Sequence, residues 1–136
     1  EVDAAIRIEQ GYGAIAVKAI AKTLSMTLKI AQLAYEKNIP CFCADLTVNP
    51  ILVDWNKSIA ARLQPFHEMD IGLQETNGHQ NYRNWDKMMS YHPRASAEWT
   101  QTKEGIYPIG KEFYTQSAGI MDPSDHYVEM FQRIRR

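Results

Sequence analysis

Three charged residues each close a short apolar run. Lys18 follows Ala14-Ile15-Ala16-Val17, Asp45 follows Cys41-Phe42-Cys43-Ala44, and Glu75 follows Ile71-Gly72-Leu73-Gln74. A charge at the edge of a buried strand must be paired, solvated, or shifted in pKa until it is neutral. The plain alternative is that each strand simply ends and the charge reaches water. The chemical alternative is proton exchange, for which a lysine and carboxylates are suitable acids and bases. Alternate residues of a strand share a face, so Lys18 falls with Ala14 and Ala16, away from Ile15 and Val17. By the same rule Asp45 falls with Cys41 and Cys43, opposite Phe42, and Glu75 falls with Ile71 and Leu73. The separations of 27 and 30 residues (18 to 45, 45 to 75) suit successive strand–helix units. Parallel strands would then present all three charges along one rim, where α/β folds build their sites.

The elements that must position these residues can be read from the pattern. Residues 2 to 10 read as the end of a helix, with Ala5, Ile6 and Ile8 among charges, stopped by Gly11 and Gly13. Strands follow near 14–18, 40–45 and 70–75, the last weakened by Gly72. Between the first two, Ser25 is the expected N-cap of a helix carrying Met26, Ile30, Leu33, Ala34 and Lys37 at helical spacing, ended by Asn38. Asn49-Pro50 is a strong helix start, with Asn as N-cap and Pro at the first helical position. Ile51, Trp55, Ile59 and Leu63 mark the expected apolar face of that helix, and Pro65 marks its end. A short amphipathic segment holds Tyr82, Trp85 and Met89. Strands alternating with helices imply parallel pairing and right-handed crossovers.

Composition shifts after Pro93, so the chain divides into 1–92, the β/α units, and 93–136, a tail. The stretch EWTQTKEGIYPIGKEFYTQSAGIM lacks a helical period and predicts irregular structure with short strands. Tyr107, Phe113 and Tyr114 are read there as packing residues. Ser124, after Pro123, is the expected cap of a last helix with Tyr127, Val128, Phe131 and Ile134 on one side.

The bulk numbers bound the function. With 136 residues and 45% hydrophobic content, the chain can bury one ordinary core. A net charge of −1 leaves no basic field for nucleic acid or an anionic membrane. No apolar run approaches the ~20 residues of a membrane span. Cys41 and Cys43 are too close along the chain for an easy disulfide, which suggests reduced thiols in a cytoplasmic protein. With no other cysteine, they have nothing to complete a thiolate metal site.

Residues 1 to 91 resemble the last β/α units of the enolase superfamily barrel, in its mandelate racemase and muconate lactonizing enzyme branch. AIAVKAIAK matches the sixth strand, IPCFCADLTVNP the seventh and IGLQETNG the eighth, with SMTLKIAQLAYEKNI as the helix between the first two. The fold implied is α/β, the C-terminal portion of a TIM-type β/α barrel, with a tail that returns to a capping domain. The resemblance implies abstraction of a proton next to a carboxylate, with a divalent ion, usually magnesium, stabilising the enolate. On it, Lys18 exchanges the proton, Glu75 helps to hold the carboxylate or its enolate, and Asp45 is the third rim residue. Lys22, Asn77 and His79 are the substrate-binding candidates. Two departures stand out. The aspartate–histidine dyad that some relatives carry on strands six and seven is absent, and Thr23-Leu24 stands where a glycine pair often follows the lysine.

On the same resemblance, the three metal-holding carboxylates and a partner lysine lie on strands that would precede Glu1. The isolated chain is therefore expected to bind no catalytic metal and to be inactive. Its open sheet edges and uncovered inner face predict a homo-oligomer. A Schiff-base lysine aldolase barrel and a non-catalytic assembly module are the competing readings.

Overall fold

The structure, a computed structural model, describes residues 2–44 and 47–135. Its class is mixed α/β: among the described residues, seven α-helices accompany a two-stranded parallel sheet. The chain clusters into two compact units, one of Glu1–Val48 with Asn56–Asn77, the other of Asn49–Trp55 with Gly78–Arg136. The expected division at 92/93 falls inside the second of them.

The first unit is built from a strand–helix–strand repeat. Helix α1 (Val2–Glu9) stops at Gly11, whose φ of 89° needs a residue without a Cβ. Strand β1 (Ile15–Val17) leads into α2 (Leu24–Glu36), and β2 (Cys41–Cys43) returns parallel to β1. The cap of α2 is Thr23, not the expected Ser25, because the Thr23 hydroxyl is the one that accepts from Met26 N–H, at 3.3 Å. Asn38 takes the left-handed conformation (φ 55°), and Ile39 N–H bonds back to Ala34 carbonyl at 2.8 Å, closing the helix as the sequence suggests. Val17, Ala34 and Cys41 form the buried core, with Ile15, Ile30, Ile39 and Leu63 packed against it.

The third expected strand is reduced to a single parallel bridge, Cys43 to Gln74. Gly72 explains its shortness. A Cβ there would run into the carbonyl of Ala60, so the chain passes close against a helix end just before it pairs.

Helix α3 (Pro50–Ala60) begins as expected, with Asn49 Oδ1 accepting from Leu52 N–H at 3.0 Å. Its buried face is not the expected one. Val53, Asp54, Asn56, Lys57 and Ala60 are buried, while Ile51, Trp55, Ile59 and Leu63 are only half-buried.

The second unit holds the short helices α4 (Gly78–Asn81), α5 (Trp85–Ser90) and α6 (Lys111–Thr115), then α7 (Asp125–Ile134). Instead of the expected strands, the described residues 93–124 form two 3-10 turns, α6 and one antiparallel bridge, Lys103 to Ile106. The left-handed pair Glu104 and Gly105 makes that hairpin turn, and Pro108, lacking an N–H, follows two residues beyond it. Trp99, Phe113 and Ala118 form the core here, with the Trp99 and Phe113 rings edge-on at 5.8 Å. Of the three residues read as packing, Phe113 is buried, Tyr107 half-buried and Tyr114 exposed. Ser124 precedes α7, but its hydroxyl donates to Tyr91 carbonyl at 2.6 Å and makes no side-chain cap. The expected packing face of α7 is open, with Tyr127, Val128, Phe131 and Ile134 all exposed.

Candidate functional site

The ladder register determines which candidate residues share a face. Ile15 lies opposite Cys41, Ala16 opposite Phe42 and Val17 opposite Cys43, and Cys43 in turn bridges to Gln74. Partners across a parallel ladder point to the same side. Cys41 and Cys43 therefore join Ile15 and Val17 on the side packed against α2. This corrects the expectation that the cysteines share the Lys18 face. The small Cys41 thiol fits with Ala34 in the core, Cys43 is buried beside it in sequence, and Phe42 takes the other side, its ring 6.2 Å from Phe66.

One step beyond the bridge, Lys18, Ala44 and Glu75 stand at a single level on the Phe42 side. The pairing reaches that level through Ala44 N–H to Val17 carbonyl (2.8 Å) and Glu75 N–H to Cys43 carbonyl (3.0 Å). Lys18 and Glu75 thus flank the middle strand from its two sides, about 10 Å apart at the backbone by strand spacing. Lys18 is half-buried, and Glu75 and Leu73 are exposed. An amine and a carboxylate so spaced can grip opposite ends of a small molecule or move a proton on it.

The remaining candidates are distributed as follows. Asp45 lies outside the described residues. Lys22 is exposed on the turn after β1, and its N–H bonds to Lys18 carbonyl at 3.0 Å. Lys18 and Lys22 also line a groove of about 400 Å³ running along the free edge of β1, with Arg7, Asp3 and Thr27. Three cations against one carboxylate give that groove a positive field. Asn77 is half-buried and two residues beyond Glu75. His79, exposed on α4 in the second unit, packs edge-on against Trp85 at 6.4 Å.

The second unit contains a polar cluster that the sequence reading missed. Asp54 Oδ2 accepts from the Trp99 indole N–H at 3.2 Å and stands 3.1 Å from His92 Nε2. That second contact lies off the N–H direction, so it is electrostatic and not a hydrogen bond. Arg94 N–H donates to His92 Nδ1 at 2.9 Å, which puts the proton of a neutral ring on Nε2. The His92 side chain has no exposed surface and that of Asp54 only 2%. The cluster holds α3 to the residue 91–99 segment and offers no access to a substrate. Its signal in the sequence is the helical spacing of Pro50, Val53, Asp54, Lys57 and Ala60, a second stripe beside the apolar one.

Burial raises the Cys41 thiol above its ordinary pKa of 9.0. Both cysteines are free and buried. Among the described residues no three His, Cys, Asp or Glu side chains gather into a group able to hold a metal ion, and no helix is long and apolar enough to cross a membrane. No family model, curated protein or solved structure matches the chain.

Proposed function

We propose that this chain is the C-terminal part of a TIM-type barrel enzyme of the enolase superfamily, acting as a racemase, epimerase, dehydratase or cycloisomerase on a small carboxylate. The observation that carries the reading is the register of the first unit, in which Lys18 and Glu75 share one level and one face at the C-terminal ends of parallel segments on either side of β2. In this reading Lys18 exchanges the proton next to the carboxylate. Glu75 orients the opposite end of the substrate, and the positive groove of Arg7, Lys18 and Lys22 draws the anion in. Asn77, two residues beyond Glu75 in the same unit, remains a candidate for completing the pocket. The magnesium would be held by carboxylates outside these 136 residues. The buried free thiols are in keeping with a reducing, cytoplasmic setting.

The test is solvent exchange at carbon. The complete reading frame that contains this chain, incubated in D₂O with magnesium and a panel of 2-hydroxy and 2-amino carboxylates, is expected to place deuterium next to the carboxylate of at least one. Lys18→Ala should slow that exchange by about 10²-fold or more, the typical worth of a positioned acid or base. Exchange that ignores Lys18→Ala would overturn the role. Covalent trapping of Lys18 by borohydride with a keto substrate would replace the reading with a Schiff-base aldolase.

A further inference from the structure

The second unit holds an open cleft of about 760 Å³, a volume that suits a small organic ligand or a short peptide. One wall is the 93–99 segment, and the other runs from Pro108 to Gln116. The Trp99 and Phe113 rings, edge-on at 5.8 Å, tie the two walls together, and half-buried Ala97 and Ile109 pack against them to line the cleft with apolar surface. The residue before each ring is a carboxylate. Glu98 precedes Trp99 on one wall, and Glu112 precedes Phe113 on the other, with Lys111 beside it. All three charged residues are exposed, and none makes an ion pair among the described residues. Arg94 also lines the cleft, but its guanidinium is committed to Asp122 at 2.7 Å.

A lone exposed charge is ordinary. Three of them, of both signs, on one cleft with an apolar lining restrict what can lie there. A simple anion that met Lys111 would also meet two carboxylates. A simple cation would lie beside a like charge at Lys111. We propose that this cleft binds a zwitterionic ligand, a short peptide with free ends. Its ammonium lies between Glu98 and Glu112, its carboxylate on Lys111, and an apolar side chain on Ala97 and Ile109. The cleft has room for more than a single amino acid, which favours the peptide. None of these residues enters the catalytic reading, so the two ideas stand or fall separately.

Amide NMR titration of the 136-residue chain tests it. The probes are a panel of tripeptides with free ends and an apolar central residue, each also prepared N-acetylated and C-amidated. The free-ended forms are expected to give saturable shifts centred on residues 97–99 and 109–113. Blocking either end should weaken binding about fivefold, the strength of one partly exposed ion pair. Lys111→Glu should reverse the preference at one end, so that the C-amidated peptide binds better than the free one. Glu98→Gln with Glu112→Gln should erase the difference between the free and N-acetylated forms. All three positions are exposed, so these variants keep the fold, which an unchanged circular dichroism spectrum checks. Absence of a saturable shift with every free-ended tripeptide overturns the proposal. So does binding that ignores the blocked ends, or a preference that Lys111→Glu leaves unchanged.

Discussion

The two units solve opposite problems with the same kinds of residue. In the first, charges stand at the end of a partly covered sheet face, with Lys18 half-buried and Glu75 exposed above apolar Ala16 and Leu73. In the second, a carboxylate and an imidazole are shut inside, with Asp54 between Trp99 and His92. A charge at an open rim costs little to keep and can meet a ligand. A buried charge must be matched from within and is committed to structure. The same residue types therefore mean different things, and access, more than identity, is what separates the two units.

The largest effect should come from opening the closed cluster. Asp54→Ala removes the acceptor of the Trp99 indole and the carboxylate beside the neutral His92 ring. Stranding buried donors in this way costs about 1–3 kcal/mol for each, so about 3 kcal/mol for the two together. Urea unfolding should register that loss, and the indole N–H of Trp99 should lose its protection from exchange. A stability change well under 1 kcal/mol would mean that the cluster is incidental, and the contrast between the units would fail.

A smaller effect tests how the first unit ends its sheet. Gly72→Ala puts a methyl group into the carbonyl of Ala60, and the obstacle is backbone that cannot swing aside. Overpacking of this kind costs about 2 kcal/mol. The Gln74 bridge should weaken with it, which faster amide exchange at Glu75 would report. If Gly72→Ala is neutral, the close approach does not explain why the third segment pairs at one residue only.

What the sequence made legible was mostly local. Asn49-Pro50 starts α3 and Asn38 ends α2, because caps are decided by a few neighbouring atoms. The order and direction of β1 and β2 also followed from alternation with helices. The errors lie where packing decides. CFC reads equally well with either side inward, and only the register with Ile15 and Val17 sends the thiols to the core and Phe42 to the other face. The α3 stripe was misread because Asp54 is acceptable inside only through Trp99, 45 residues later. The tail was misread because its short helical turns are too brief to show a period. Of the site, Lys18 and Glu75 were visible as strand ends, while their common level came from the ladder.

The finest distinction between the units is one of pH, and Cys41 provides it. The thiol faces the α2 side of the sheet, and burial holds its pKa above the ordinary 9.0. Below that value the thiol is protonated in both the folded and the unfolded chain, so its contribution is fully present. As pH rises through 9.0, the unfolded chain sheds the proton first, and stability falls until the folded thiol titrates as well. The slope contributed is at most about 1.4 kcal/mol per pH unit. Urea midpoints compared between about pH 8 and pH 10 should therefore fall more steeply for the parent than for Cys41→Ala. The effect belongs to the sheet core of the first unit, so Trp99 fluorescence in the second should not follow it at low urea. Equal slopes in the two proteins would mean that the thiol is reached by water and that the core beneath the sheet is not closed.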